Sequence, residues 1–283
     1  MIRRLLLLLA LLLPTEAFGD ERIVSVGGSI TEIVYALGLQ ERLVAVDTTS
    51  LYPPQARELP NVGYMRQLAA EPILALAPTL ILAVEDSGPP TVLDQLRSTG
   101  TKLVNVPDDP SPQGVLDKVA LVADTLGVET QGAALRLRLA GAFSRLEAQV
   151  AKVTERPRVL FLLSVGNGAP LAAGRDTSAA GIIALAGGVN AIDGFTKFKP
   201  LSPEAAIAAA PDVVLITGRT LGMLGGREGL LTRPELAGTP AAKNGRLVTM
   251  DGLLLLGFGP RTPQAIVELA QALHPGMTFD TGE

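Results

Sequence analysis

A single uninterrupted stretch limits the folds open to this chain. Although 30 glycines and 21 prolines punctuate the 283 residues, Thr130 to Thr154 contains no proline and no glycine pair. Ala134, Leu135, Leu137, Leu139, Ala142, Leu146 and Val150 place apolar side chains on more than one face. The stretch predicts one helix of roughly 25 residues, about 37 Å long at 1.5 Å per residue. A small lobe has no use for a helix of that length, so it reads as a strut with a folded unit at each end.

Both flanks alternate short β-branched runs with helical segments, the signature of α/β units with parallel sheets. Ile23 to Val26 reads as a buried strand, followed by a turn at Gly27-Gly28 whose amides could face an anion. Ser29 and Glu32 have capping-box spacing for a helix from Ile30 to about Leu37, stopped by Gly38. Strands are expected at Leu43 to Val46, Leu80 to Ala83 and Lys102 to Val106, with helices near Pro72 to Ala77, Thr91 to Ser98, and from Ser111-Pro112 to Gly127. Beyond the strut come strands at Val159 to Leu163, Val213 to Ile216 and Arg246 to Met250, with helices near Ala179 to Ala186 and at Thr262 to Leu273. The expected fold is α/β: two Rossmann-like lobes with parallel sheets (20–128 and 156–283) joined by one long helix (129–155), with a ligand cleft between them.

An internal echo supports two related lobes. Leu68-Ala69-Ala70-Glu71 and Leu201-Ser202-Pro203-Glu204 are each followed, seven residues after the glutamate, by a proline and a buried apolar run.

Composition removes several function classes. Arg3-Arg4, the apolar run Leu5 to Leu13 and Ala17-Phe18-Gly19 form a cleavable export leader over 1–19. The full chain carries a formal charge of −4, and losing Arg3, Arg4 and Glu16 leaves the remainder acidic, so nothing favours nucleic acid. With no cysteine, thiolate zinc sites, cysteine nucleophiles and an N-terminal lipid anchor are excluded, and a freely diffusing periplasmic protein is expected. One histidine, His274, stands at the end of the last helix, where a solvent-facing position is expected, and there is no Gly-x-Ser-x-Gly elbow. An enzyme is not indicated. Of the three tyrosines, Tyr35 reads as core and Tyr52 as either lining or surface. Tyr64 follows a glycine in a loop between two α/β units, where such lobes bind ligands.

Several segments carry a family resemblance: Arg22-Ile-Val-Ser-Val-Gly-Gly-Ser-Ile-Thr-Glu-Ile-Val-Tyr-Ala-Leu-Gly38, Asp47 to Ser50, Val62-Gly-Tyr-Met-Arg-Gln-Leu-Ala-Ala-Glu71, Ala83 to Pro90, Ala173 to Thr177, and Phe198 to Glu204. Together they resemble the periplasmic haem-binding proteins of bacterial haem-uptake ABC transporters, within the helical-backbone (class III) solute-binding proteins. The Gly-Tyr-Met-Arg and Leu-Ala-Ala-Glu segment is what resembles the haem branch. The resemblance implies capture of ferric haem b and delivery to a permease dimer with its ATPase subunits, downstream of an outer-membrane receptor. It implies that Tyr64 binds the iron, a role suited to a hard phenolate donor, with Arg66 as the supporting cation. Relatives that place a histidine after the strand matching Leu160 to Leu163 have no counterpart here, where Ser164-Val165-Gly166-Asn167 stands. Arg219, and second Arg175, are candidates for the distal face, and any of these arginines could pair with the haem propionates. Glu71 and Glu204 resemble the pegs that dock on the permease. A ferric-siderophore or cobalamin carrier of the same fold is the alternative, and the absence of tryptophan counts weakly against cobalamin.

Overall fold

The computed structural model describes residues 21–163 and 170–282. The expected leader at 1–19 and the segment Ser164 to Asn167 lie outside the described residues.

The first lobe contains strands β1 (Ile23–Val26), β2 (Leu43–Val46), β3 (Leu80–Val84) and β4 (Lys102–Val106), and helices α1 (Gly28–Ala36), α2 (Ala70–Leu74), α3 (Pro90–Ser98) and α4 (Pro112–Thr125). Its sheet is wholly parallel, ordered β2-β1-β3-β4. Helices on both faces explain why β3 is apolar along its whole length, β1 is apolar but for Ser25, and both are fully buried. The strut is α5 (Glu129–Val150), 22 residues and about 33 Å long. It packs on α4 and on the last helix, with Leu135, Leu139, Phe143 and Leu146 turned inward and Leu137 outward.

The second lobe contains β5 (Arg158–Leu163), β6 (Leu171–Ala173), β7 (Val189–Asn190), β8 (Phe198–Pro200), β9 (Val213–Thr217) and β10 (Leu247–Met250). Its helices are α6 (Ser178–Leu185), α7 (Pro203–Ala209), α8 (Gly218–Met223), α9 (Gly226–Leu231), α10 (Pro240–Lys243), α11 (Gly252–Leu256) and α12 (Thr262–Leu273). Here the expectation of a parallel sheet needs a correction. β5, β7, β9 and β10 pair in parallel, but β6 and β8 add an antiparallel edge.

The duplication extends to hydrogen bonding. Arg22 precedes β1, donates its amide to Thr79 Oγ1 (2.9 Å), and reaches back from Nη2 to the carbonyl of Leu76 (2.8 Å). Arg158 opens β5, donates its amide to Asp212 Oδ2 (2.8 Å), and reaches from Nε to the carbonyl of Ala209 (2.9 Å). Ala77 and Ala210, each directly before the repeated proline, are both left-handed, with φ of 46° and 43°. Two segments that share a strained alanine and the same arginine clasp occupy equivalent places in the two lobes.

The lobes meet along a tight seam. A Cβ on Gly28 would lie 2.5 Å from both Leu253 Cδ1 and the carbonyl oxygen of Thr49, so only glycine fits there. Lys118, whose side chain is fully buried, donates to Asp108 Oδ1 (2.6 Å) in its own lobe and to the carbonyl of Phe258 (3.2 Å) in the other. Arg261 grips buried Glu32 in two hydrogen bonds, Nη2 to Oε1 at 2.6 Å and Nε to Oε2 at 3.1 Å. Burial pushes the Glu32 carboxyl above its ordinary range, and Arg261 only partly offsets this.

Three expectations are overturned. Ser29 and Glu32 do not form a capping box, because the left-handed turn at Gly27 (φ 114°) starts the helix at Gly28 and Glu32 is spent on Arg261. The amides of Gly27 and Gly28 are already taken by Asp47 Oδ1 and Thr49 Oγ1, both at 3.0 Å. His274 is also not solvent-facing: it is buried, with Nε2 3.1 Å from the carbonyl of Ala186. Among the described residues, no helix is long and apolar enough to cross a membrane.

Candidate ligand-binding cleft

In open α/β sheets, ligands gather outside the carboxyl ends of the strands. Those ends face each other here. Gly28 follows β1 and lies between Thr49, after β2, and Leu253, just after β10. Gly252 in turn lies against Thr217, the last residue of β9. The loops leaving the carboxyl ends of both sheets therefore meet at the seam, where a ligand of such a fold is expected.

Tyr64 stands in the loop that leaves the carboxyl end of β2, fixed at several points. The Thr48 amide donates to the carbonyl of Gly63 (2.9 Å), the Gly63 amide to Asn61 Oδ1 (2.8 Å), and the Gly88 amide to the carbonyl of Met65 (2.9 Å). Gly63 has φ 96°, which a side chain would oppose. The flanking Val62, Met65 and Leu68 are buried in the core, leaving Tyr64 standing out, 39% exposed. Arg66 Nη1 donates to Tyr64 Oη at 2.9 Å, and Arg66 Nη2 lies 3.5 Å from Asp86 Oδ2. Partial burial alone would loosen the Arg66 proton, but the bond to Tyr64 and the charge of Asp86 outweigh it and hold the guanidinium above its ordinary value. The result is an accessible phenol oxygen with a cation hydrogen-bonded to it, a hard oxygen donor of the kind that binds ferric haem.

The other sequence candidates divide. Arg219 is exposed on the first turn of α8, directly after β9, whose last residue Thr217 caps that helix by accepting the Thr220 amide (3.2 Å). Arg175 is exposed beyond β6, on the antiparallel edge. Neither guanidinium is paired among the described residues, and neither is joined to Tyr64 or Arg66. Tyr35 is half-buried against the core. Tyr52 is neither core nor free: the Arg261 guanidinium stacks on its ring, 3.6 Å from the centroid. Asp86 was not marked from the sequence, although it falls inside the Ala83 to Pro90 segment; only its distance from Arg66 singles it out. Eight large apolar side chains are exposed among the described residues, and four of them, Leu51, Tyr52, Tyr64 and Met223, follow the carboxyl ends of strands. That distribution suits a broad apolar ligand. Two further hollows, of about 440 and 500 Å³, lie elsewhere, at Arg138–Gln264–Phe279 and beside His274, and include none of the candidate residues.

Glu71 and Glu204 are both exposed in the first turn of a helix, α2 and α7. Ser202 caps α7 by accepting the Ala205 amide (3.2 Å), with Pro203 at the first helical position. The Glu204 amide and the Ser202 hydroxyl hold the Glu204 carboxyl below its ordinary range.

A family model described as "Periplasmic binding protein" matches residues 23–253. The structure is similar to that of the periplasmic heme-binding protein RhuT from Roseiflexus sp. RS-1 in apo form, with a TM-score of 0.86 and 43% identity over 90% of this chain and 100% of that one. It is also similar to the periplasmic heme-binding protein BhuT in complex with two hemes, with a TM-score of 0.85 and 40% identity over 89% of this chain and 99% of that one. Among curated relatives, the vitamin B12-binding protein of Vibrio cholerae is 29% identical over 266 residues, 92% of each chain.

Proposed function

Since the chain belongs to the periplasmic binding protein family, we propose that it captures ferric haem in the crevice between its lobes and delivers it to an inner-membrane ABC transporter. The observation that carries this reading is Tyr64: an exposed phenol, hydrogen-bonded by Arg66, in the loop beyond the carboxyl end of β2. In this reading the Tyr64 oxygen binds the iron and Arg66 stabilises its negative charge. Arg219, and second Arg175, serve the opposite face or the propionates. The similarity to haem-binding structures at 40% identity and above, over nearly the whole chain, supports haem over cobalamin.

The chain divides into lobes at 20–128 and 156–283 around the helix at 129–155, after removal of a leader at 1–19. Glu71 and Glu204 dock the loaded protein on the two halves of the permease. Their equivalent places in the duplicated lobes, exposed at helix starts, suit a partner that is itself a dimer. The role is binding and delivery rather than catalysis, with haem supplied by an outer-membrane receptor.

Titration with hemin, followed at the Soret band, tests the reading. The wild-type protein is expected to saturate, and Tyr64→Ala to lose most of its affinity. Equal affinities would remove Tyr64 from the site. Cobalamin added in excess should not displace the pigment.

A further inference from the structure

The two lobes share a repeated segment, and in the second lobe the positions matching Tyr64 and Arg66 are two lysines with no assigned role. Tyr64 and Arg66 stand seven and five residues before Glu71, and Lys197 and Lys199 stand seven and five residues before Glu204. The match is structural as well as numerical. Between these residues and the glutamates, Leu68 and Leu201 are both buried. Beyond the glutamates come the left-handed Ala77 and Ala210 and the two arginine clasps. Each segment also contains a left-handed residue at its tip, Gly63 at φ 96° and Lys197 at φ 63°. Glycine adopts that conformation freely, but a lysine does so at a cost, and such residues gather at functional sites.

The local packing turns both lysines outward. Phe198, between them, packs edge-on against Phe161 of β5, with ring centroids 6.3 Å apart, and alternation along β8 puts Lys199 on the opposite face, while the left-handed Lys197 just before the strand is exposed. Lys197 and Lys199 are exposed, and among the described residues neither makes an ion pair. Lys199 Nζ lies over the Phe195 ring, 5.3 Å from its centroid. The hairpin is tied to Arg175 through its backbone, the Lys197 amide donating to the Arg175 carbonyl (2.9 Å), so three cations without an ion pair among the described residues share one ribbon.

Resting on the haem reading above, we infer that Lys197 and Lys199 bind the propionate carboxylates of the cargo from the second lobe. The phenol of one lobe takes the metal. The ammonium groups at the equivalent place in the other take the anionic edge of the same ligand. Haem is a flat molecule with a metal at its centre and two carboxylates along one side, and a duplicated fold that presents an oxygen donor on one rim and paired cations on the other matches it at both ends.

The test compares hemin with its dimethyl ester, which keeps iron and macrocycle but carries no carboxylate charge. Full-length processed protein, its Lys197→Met/Lys199→Met variant and Tyr64→Ala are titrated with each pigment. The double lysine variant is expected to bind hemin about tenfold more weakly than wild type, the loss of a charge-assisted contact, and to bind the ester as wild type does. Tyr64→Ala is expected to lose both pigments. Unchanged hemin affinity in the lysine variant, or an equal loss for hemin and ester, overturns the inference while leaving the Tyr64 reading intact. A wild-type protein that takes up neither pigment overturns both. Because both side chains are exposed, matching thermal melts serve as the check on folding.

Discussion

Replacing Arg261 with methionine should destabilise the protein, and should do so least in acid. The substitution keeps much of the side-chain volume but removes both hydrogen bonds to Glu32, whose side chain is only 4% exposed. Removing one partner of a buried pair leaves an uncompensated charge and typically costs about 3–5 kcal/mol. Loss of the guanidinium over the half-exposed Tyr52 ring adds about 0.5–1 kcal/mol. For a chain of this size, a deficit of about 4 kcal/mol corresponds to roughly 8–16 °C in melting temperature. The pH dependence follows from burial. Glu32 already sits above its ordinary range because burial outweighs Arg261, so its ionisation opposes folding as pH rises through that raised value. Without Arg261 the Glu32 carboxyl is pushed higher still. The gap between variant and wild type is therefore smallest below the ordinary carboxylate range and widens as pH rises. Urea denaturation from pH 4.5 to pH 8 measures it. Adding Glu32→Gln to the variant should recover more than half of the loss at pH 8, since a neutral amide needs no counter-ion. A pH-independent deficit, or no rescue by Glu32→Gln, would refute the reasoning.

Three other outcomes are expected. At the second seam contact, Asp108→Ala should destabilise more than Lys118→Met in denaturant melts, because the lysine is fully buried and the aspartate can turn to water. Arg66→Met should weaken hemin binding by about tenfold in Soret titrations, without changing thermal stability, since Arg66 is largely exposed and bonds mainly to Tyr64. The Glu71→Ala/Glu204→Ala pair should abolish uptake in vesicles reconstituted with the transporter and leave haem binding untouched; unchanged uptake would remove the docking role.

Much of this architecture was legible from the chain because it rests on local rules. β1, β3 and β9 announce themselves as buried β-branched runs, and α12 matches its expected bounds because Thr262 and Leu273 delimit an amphipathic stretch. What escaped was decided by contacts distant in sequence. Glu32 has capping-box spacing, and only Arg261, 229 residues away, explains its different role. His274 looks like a helix-end surface residue until the carbonyl of Ala186 is placed beside it. β6 and β8 are three residues each, too short for periodicity to register, and their antiparallel edge breaks the parallel rule inferred from the first lobe. In the cleft, Tyr64 and Arg66 were visible because they lie two residues apart in one loop. Asp86, 20 residues further on from Arg66, was not. Lys197 and Lys199 become notable only once the repeat is aligned through its hydrogen bonds rather than its residue types.

A crystal structure grown with hemin addresses the assignment most directly. The account predicts one edge of the cleft supplying Tyr64 Oη within bonding distance of the iron, with Arg66 still touching that oxygen. A metal bound by some other group, or pigment seated with the Tyr64 ring turned away from it, would contradict the account.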